Sequence, residues 1–207
     1  QGTDAAVAMA MGHVILKEFY FPESGERSAY FDDYVRRYTD MPMLVRLGKR
    51  ADGVYVPDRF VRASDFDSKL GEANNPEWKT VAYDETTGSI VAPRGSIGFR
   101  WGEAGKWNLE EREATGKETR LLLSLNDTCD DIVDVGFPYF GNIEHEHFAS
   151  TSHAGVLNRL VAVKRLQLAD GETLVATVHD LFMANYGVDN GLGGPNVAKS
   201  LDDDVPY

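Results

Sequence analysis

Cysteine is almost absent from the sequence, and this shortage removes several classes of site at once. Cys129 is the single cysteine among 207 residues. A disulfide within the chain needs two cysteines, and cysteine-rich zinc sites or iron–sulfur clusters need several. The chain alone therefore holds none of these, and the redox compartment in which it works is left open.

Basic residues are scarce relative to acidic ones. The chain has 21 lysines and arginines against 33 aspartates and glutamates, which gives a formal net charge of −12. Such a chain repels phosphate backbones and anionic membrane surfaces, so nucleic acid is a poor candidate partner. Hydrophobic residues make up 43% of the sequence, which is enough to bury a core. We therefore expect a soluble folded domain.

Long apolar runs and familiar catalytic motifs are missing too. The first apolar run is interrupted by Gly12, His13, Lys17 and Glu18 before it could span a bilayer, and no secretory signal is found. The sequence contains no G-x-S-x-G elbow, no P-loop and no G-x-G-x-x-G phosphate loop. Composition and pattern alone thus predict an acidic α/β domain, and both chain ends suggest a cut from a longer chain.

The opening residues predict the helix around which the chain is organised. Gly2, Thr3 and Asp4 precede the run AAVAMAMGHVILKEF, and Thr3 or Asp4 can cap a helix that begins there. Its polar side is mostly alanine, so we expect burial on most of its circumference, partly against segments outside this chain, and exposure or dimerisation where those are missing. Gly12 predicts close backbone contact. The opening turn is either an ordinary cap or, because helix N-termini favour anions and polar ligands, a ligand contact.

The middle of the chain predicts a second helix and then a β-rich subdomain. The second helix begins near Ala29 and pairs Asp32 with Arg36 and Asp33 with Arg37 on one face. Its other face carries a stripe predicted to pack into the core, formed by Tyr30, Phe31, Tyr34, Val35 and Tyr38. Beyond it, glycine turns separate short β-forming runs, with a helix predicted only over residues 65–70. This region contains the three tryptophans Trp78, Trp101 and Trp107.

Two stretches have the residue types of a cation site. The acidic residues 127–134 offer four aspartates but lack the glycine and final glutamate of an EF-hand, which favours a solvated loop. His145 and His147 would point to the same face of a strand and suit zinc or another divalent ion. Their neighbours are typical of a loop, and no third ligand is fixed by spacing, so a solvated segment is again the favoured alternative.

The last third predicts a hairpin followed by a short helix. Residues 157–168 and 173–178 flank a turn that contains Asp170-Gly171. Residues 179–186 follow as a helix with Gly187 at its C-terminal cap position. The predicted class is α/β of mixed α+β type, with a few helices beside a mixed sheet and an inserted, mainly antiparallel β subdomain.

Long strings along the chain also carry a family resemblance: QGTDAAVAMAMGHVILKEF, FDDYVRRYTDMPMLVRL, NNPEWKTVAY, APRGSIGFRWGEAGKWNLEER, VGFPYFG and VKRLQLADG. They closely resemble the catalytic (alpha) subunit of respiratory nitrate reductases, which belong to the molybdopterin oxidoreductase superfamily. The resemblance runs from Gln1 to about Gly187 and weakens across residues 125–134, 142–158 and 189–199. Strings of this length are far more specific than any single motif.

The resemblance implies a parent enzyme that holds molybdenum between two molybdopterin guanine dinucleotides, with a [4Fe–4S] cluster nearby. The family's metal-ligand aspartate and its cluster ligands are expected before Gln1, so no catalytic or metal-ligand residue is assigned here. Gly2, Thr3 and Asp4 are assigned as cofactor-binding residues, because in the superfamily this turn lies close to the nucleotide end of a pterin cofactor. The isolated chain is expected to bind no cofactor and to be inactive.

The implied activity is reduction of nitrate to nitrite with electrons from quinol. Its partners would be the rest of the alpha subunit, an iron–sulfur beta subunit and a haem b gamma subunit. These would associate the enzyme with the cytoplasmic face of a membrane that the chain itself does not span. Two alternatives stay open: nitrite oxidation or reduction of another oxyanion on the same scaffold, and a non-catalytic module that docks other subunits.

The resemblance also suggests how the chain is divided. Residues 1–48 are predicted to be a helical α/β part of the molybdopterin-binding catalytic domain. Residues 49–140 are predicted to be a β-rich inserted subdomain. Residues 141–207 are predicted to return to the catalytic domain as a hairpin and short helix.

Overall fold

Three α-helices and nine β-strands are seen in the part of the chain that the structure describes. The structure is a computed structural model, and it describes residues 4–20, 28–67, 70, 79–95, 109–113, 115–141, 153–188 and 191–192. The helices are α1 (Asp4–Ile15), α2 (Ala29–Tyr38) and α3 (Val178–Asn185), and a π-helical turn over Leu16–Tyr20 continues α1. The strands are β1 (Leu44–Lys49), β2 (Tyr55–Phe60), β3 (Ala82–Tyr83), β4 (Ile90–Val91), β5 (Pro93–Gly95), β6 (Leu109–Glu113), β7 (Asp131–Gly141), β8 (His153–Leu168) and β9 (Gly171–Thr177).

A closed five-stranded barrel forms the centre of the fold. Its strand order is β1-β2-β7-β8-β9, with β9 pairing back onto β1. All neighbours are antiparallel except β2 and β7, which run parallel and meet at Tyr55 and Val135. Two small antiparallel sheets, β3–β4 and β5–β6, lie outside the barrel. The predicted mixed α+β class is confirmed. The barrel draws strands from all three predicted divisions of the chain, whose boundaries stay a prediction.

Some strands of the barrel contribute buried residues from both of their faces. Successive residues of a strand point to opposite sides, and on β1 Leu44 joins one buried cluster whereas Val45 joins another. The first cluster includes Val61 and other residues of the chain between β2 and β7. The second includes Leu181 of α3. Elements of the chain itself therefore pack on parts of both faces of the barrel, and α3 lies against one of them.

The hairpin predicted in the last third is confirmed. Strands β8 and β9 pair from Lys164–Val175 to Leu168–Gly171, around a two-residue loop of Ala169 and Asp170. Gly171 has a φ of 127°, which favours glycine, so the Asp-Gly pair fixes where the chain turns. α3 follows directly, one residue earlier than predicted.

The aromatic stripe of α2 was predicted to pack into the core, and this is wrong for its tyrosines. Tyr30, Tyr34 and Tyr38 are exposed, and their rings stack along the helix at centroid distances of 6.2 and 5.4 Å. Phe31 and Val35 do pack against a buried cluster. The tyrosines repeat every four residues, whereas Phe31 and Val35 lie one position on, about 100° further round the helix. A single stripe in the sequence is therefore two rows in the structure.

The charged face of α2 is only partly exposed. Asp33 and Arg37 pair at 3.5 Å on the surface, as predicted. Arg36 is instead buried, where it pairs with Asp32 at 3.1 Å and donates a hydrogen bond to the Leu121 carbonyl oxygen. This arginine thus ties α2 to the chain that follows β6.

The helix predicted over residues 65–70 is not formed in its described part. A 3₁₀ turn over Ala63–Asp65 occupies this place, and Phe66 is extended. The Asp65 carboxylate accepts hydrogen bonds from the Arg59 guanidinium at 2.7 and 3.0 Å and from the Arg62 N–H at 2.9 Å. These bonds hold Asp65 in the 3₁₀ turn, where the sequence predicted the first residue of a helix.

The acidic residues 127–134 were predicted to form one loop, and the second half of that prediction is wrong. β7 begins at Asp131, and Ile132 and Val133 pair with Ala162 and Val161 of β8. Pairing with the apolar strand β8 therefore outweighs the tendency of the acidic residues to form a loop. Within the described ranges, no helix has the length and apolar character needed to cross a membrane.

Candidate functional site

The opening turn of α1 is the candidate cofactor contact. Asp4 is exposed and is the first residue of this 12-residue helix, as the cap pattern predicted. Gly2 and Thr3 lie outside the described residues. The first N–H groups of a helix have no acceptor within it, and the positive end of the helix dipole lies among them. Asp4 adds a carboxylate, so the turn offers both donors and an acceptor to a polar ligand.

Four apolar side chains of α1 are about half exposed, which agrees with the expectation that this chain supplies only part of the helix's cover. Val7 and Met11 expose 56% and 58% of their surface, and Val14 and Ile15 nearly half of theirs. The residues that face the rest of the described chain are Gly12, His13 and Leu16. The helix has enough apolar residues to be covered on several sides, and the contacts found among the described residues lie on one side.

The contact between α1 and the body of the chain is made at Tyr186, just after α3. A Cβ built on Gly12 would overlap Cε1 of Tyr186 and lie 3.1 Å from its Cδ1. The backbone of α1 therefore lies directly on the tyrosine ring. This confirms that Gly12 marks a close approach rather than a helix end.

His13 is buried beside this contact, with only 4% of its surface exposed. Its Nδ1 is 2.8 Å from the Tyr186 carbonyl oxygen, and because a carbonyl only accepts, Nδ1 carries the proton and donates. The buried Nε2 has no hydrogen-bond partner among the described residues. Sequence reasoning assigned His13 no role. The sequence feature that could have indicated a role for His13 is its position next to Gly12 on an otherwise apolar helix.

α3 is fixed to the barrel at its N-terminus. The Thr177 hydroxyl accepts a hydrogen bond from the Asp180 N–H at 3.1 Å and so caps the helix. The buried Asp180 carboxylate accepts the Leu125 N–H at 2.8 Å. The His179 N–H donates to the Met41 carbonyl oxygen at 2.9 Å, which links α3 to the chain before β1. The element that carries Tyr186 is thus held from several directions.

Of the two stretches predicted as candidate cation sites, the structure describes the acidic one. In the acidic stretch, Asp130 accepts the Arg165 N–H at 2.8 Å and Asp131 pairs with the Arg165 guanidinium at 3.5 Å. The described residues contain no group of three potential metal ligands. His145 and His147 lie outside the described residues. So do Trp78, Trp101 and Trp107, whose exposure bears on the docking alternative.

Asp84 has a carboxyl group with a shifted pKa, and this group stabilises a turn. It is buried, and burial is the largest influence and raises its pKa. Hydrogen bonds from the Arg120 N–H, the Thr87 hydroxyl and the Thr86 N–H nevertheless hold the pKa of Asp84 below its usual range. All three donors belong to the chain's own turns and bridges. The carboxylate is therefore structural rather than catalytic.

Comparison with known proteins defines the class to which this arrangement belongs. No family model matches the chain. Its full length is, however, similar to alpha chains of nitrate reductases, which are subunits of oxidoreductases.

Three relatives illustrate the similarity. The chain is 58% identical to the respiratory nitrate reductase 1 alpha chain and 56% identical to the respiratory nitrate reductase 2 alpha chain of Escherichia coli (strain K12). It is 42% identical to the nitrate reductase alpha chain of Bacillus subtilis (strain 168). Each match covers 100% of this chain but only 16% of the relative. The chain therefore belongs to the family of nitrate reductase alpha chains, of whose length it spans a small part.

Proposed function

We propose that this chain is part of the catalytic alpha subunit of a molybdenum-dependent respiratory nitrate reductase, which reduces nitrate to nitrite with electrons from quinol. The observation that carries the proposal is 58% identity along the whole chain to an alpha chain of that name. The proposed partners are the rest of the alpha subunit, an iron–sulfur beta subunit and a haem b gamma subunit. Through them the enzyme would associate with the cytoplasmic face of a membrane.

The proposed cofactors are molybdenum bis(molybdopterin guanine dinucleotide) and a [4Fe–4S] cluster, held mainly by residues of the alpha subunit beyond this chain. When bound, the molybdenum cofactor supplies the redox chemistry, and the protein supplies binding and orientation. The described residues contain no group of three potential metal ligands, so we assign the chain a supporting role beside the metal. The barrel and α3 form the support, and α1 extends from it.

The residues of this chain that we propose as the cofactor contact are Gly2, Thr3 and Asp4. Asp4 is exposed at the start of α1, where its carboxylate can accept hydrogen bonds from a ligand. A guanine base presents N–H donors on its edge, which a carboxylate accepts well. The free N–H groups of the turn can in addition donate to acceptors on the same nucleotide. We therefore propose that this turn contacts the guanine nucleotide end of one cofactor.

The contact can be tested by removing the acceptor. Asp4→Asn and Asp4→Ala in the full alpha chain should lower retention of the guanine nucleotide about tenfold or more, because a hydrogen bond to a charged group is worth roughly 1.5–3 kcal/mol. Retention is measured as guanosine monophosphate released by acid hydrolysis per alpha chain, after dialysis, beside the molybdenum content. Asp33→Asn is the matched control, since Asp33 is an exposed acid near the start of α2. Full nucleotide retention in both Asp4 variants would contradict the proposed contact.

A further inference from the structure

We infer that Gly12, His13 and Tyr186 form a latch that positions the opening turn of α1 for its nucleotide contact. The inference rests on the proposed function and names positioning residues for the site proposed there. These residues lie away from the opening turn and act on it through the helix. The latch is defined here as the contact of Gly12 with the Tyr186 ring together with the hydrogen bond from His13 to the Tyr186 carbonyl oxygen.

The first part of the latch is steric. Glycine disfavours a helix interior, yet it stands in the middle of α1. A Cβ on Gly12 would overlap Cε1 of Tyr186 and lie 3.1 and 3.3 Å from Cδ1 and Cζ. No ordinary side chain fits at this position without moving either the helix or the ring. The glycine thus sets the distance between α1 and α3.

The second part of the latch is a directed hydrogen bond. Tyr186 follows the last residue of α3, and its own N–H donates back to the Phe182 carbonyl oxygen at 2.9 Å. The carbonyl of a residue at a helix C-terminus has no donor within its helix and lies at the negative end of the dipole. His13 Nδ1–H supplies the donor at 2.8 Å, in a buried position. This bond fixes the rotation of α1 about its own axis.

The latch has a rigid base. The Tyr186 ring lies 4.3 Å from the Phe182 ring, centroid to centroid, and both rings pack with Met183 and Val188 in one cluster. α3 is itself held on the barrel by the bonds of Thr177 and Asp180 described above. A displacement at Gly12 therefore moves α1 rather than α3.

A displacement of α1 at Gly12 shifts the N-terminal end of the helix, where the opening turn lies. Between Gly12 and Asp4 the helix spans about 12 Å at 1.5 Å per residue. Val7 and Met11 along this length are largely exposed to solvent. Leu16, beyond the latch, joins the cluster that contains Tyr186. Within the described part of this chain, the contacts that hold the opening turn are consequently those in the C-terminal half of the helix.

The test uses Gly12→Ala in the full alpha chain of the assembled enzyme. Helix propensity alone predicts slower amide exchange in α1 for this change, because alanine favours a helix over glycine. The latch predicts the opposite sign, namely exchange over residues 4–11 that is about tenfold faster and nucleotide release that is faster by a similar factor. Gly48→Ala on β1 is the matched control, since its new Cβ would lie 3.8 Å from the nearest atom, Cβ of Asp58.

A second variant separates the latch from a general loss of structure. Tyr186→Leu removes the outer ring atoms that overlap the new methyl group but keeps the carbonyl oxygen that His13 needs. Tyr186→Leu combined with Gly12→Ala should therefore restore α1 exchange and nucleotide retention toward the values of Tyr186→Leu alone. Unchanged exchange and unchanged nucleotide retention in Gly12→Ala would overturn the latch.

The Asp4 variants distinguish failure of the latch from failure of the proposed contact. If Asp4→Asn lowers nucleotide retention and Gly12→Ala does not, the contact stands and the latch is wrong. If Gly12→Ala accelerates exchange over residues 4–11 but neither variant changes nucleotide retention, the nucleotide contact is wrong, and the latch is wrong as a positioning device for it.

Discussion

The exposed apolar face of α1 gives the sharpest test of whether this chain works inside a larger alpha subunit. Met11 exposes more than half of its surface in the chain by itself. If the remaining alpha chain covers this face, then making it polar should be harmless in the isolated chain and costly in the full subunit. Met11→Gln is the appropriate change, because glutamine is unbranched like methionine and has a similar helix propensity.

The magnitude follows from the exposed fraction. Full burial of a methionine side chain is worth about 1.5–3 kcal/mol. The 58% that this chain leaves exposed therefore corresponds to roughly 1–2 kcal/mol that covering segments would supply. Surface substitutions of matched propensity usually change stability by less than about 0.5 kcal/mol. The two contexts should thus differ by about 1 kcal/mol or more, which is about a fivefold to tenfold change in an opening equilibrium.

Amide hydrogen exchange of α1 measures this difference in both contexts. We expect Met11→Gln to leave exchange over residues 4–15 unchanged in the isolated chain and to accelerate it about tenfold in the full alpha subunit. Met183→Gln is the positive control, because Met183 lies in α3 with only 1% of its surface exposed. That variant should destabilise the chain in both contexts. Equal and small effects of Met11→Gln in both contexts would refute the idea that α1 is covered in the subunit.

Two further predictions concern the fold and the chemistry. Asp84→Ala should destabilise the chain by about 2–4 kcal/mol at neutral pH, because it leaves buried donors unpaired, and urea unfolding would measure it. The pKa of Asp84 is held below its unfolded value of about 3.9, so its contribution is full above that pH and is lost as the pH falls through the lower folded pKa. The stability gap between the variant and the parent chain should therefore narrow in acid, and a gap that stays constant from pH 7 to acid unfolding would be contrary evidence. Purified alone, the chain should contain no molybdenum and should not reduce nitrate with a viologen donor, whereas molybdenum in stoichiometric amount would disprove this.

Local signals in the sequence predicted the elements that depend on local physics. The start of α1 followed from Thr3 and Asp4, and the β8–β9 hairpin followed from the Asp-Gly pair between two apolar runs. Gly12 was correctly interpreted as a close approach, because a glycine amid good helix formers is otherwise unfavourable. In each case the residue type alone narrows the backbone geometry. Tyr186 as the partner of Gly12 could not be predicted, since 173 positions separate His13 from the carbonyl it binds.

The structural predictions were wrong where a residue can interact either with its neighbours in the sequence or with residues far from it in the sequence. Asp65 was predicted to begin a helix, but its carboxylate instead accepts hydrogen bonds from the Arg59 guanidinium and the Arg62 N–H. Asp131 was placed in a loop, but β8 supplies a strand with which its neighbours pair. Tyr34 was assigned to the core because its spacing is helical, although spacing alone does not say which row of a helix faces inward. Such choices depend on which elements are adjacent in space.

The distribution of buried residues explains why the candidate site itself is only partly visible in this chain. Residues of the chain bury both faces of β1, as Leu44 and Val45 show. α1 is the opposite case, because the chain supplies one contact face at Gly12 and leaves Met11 exposed. A folded support that carries a helix with an incomplete environment is expected where several segments of a longer protein surround one ligand. Under the proposed function, the opening turn at Asp4 would supply one part of a nucleotide site, and other segments of the alpha subunit would supply the metal ligands.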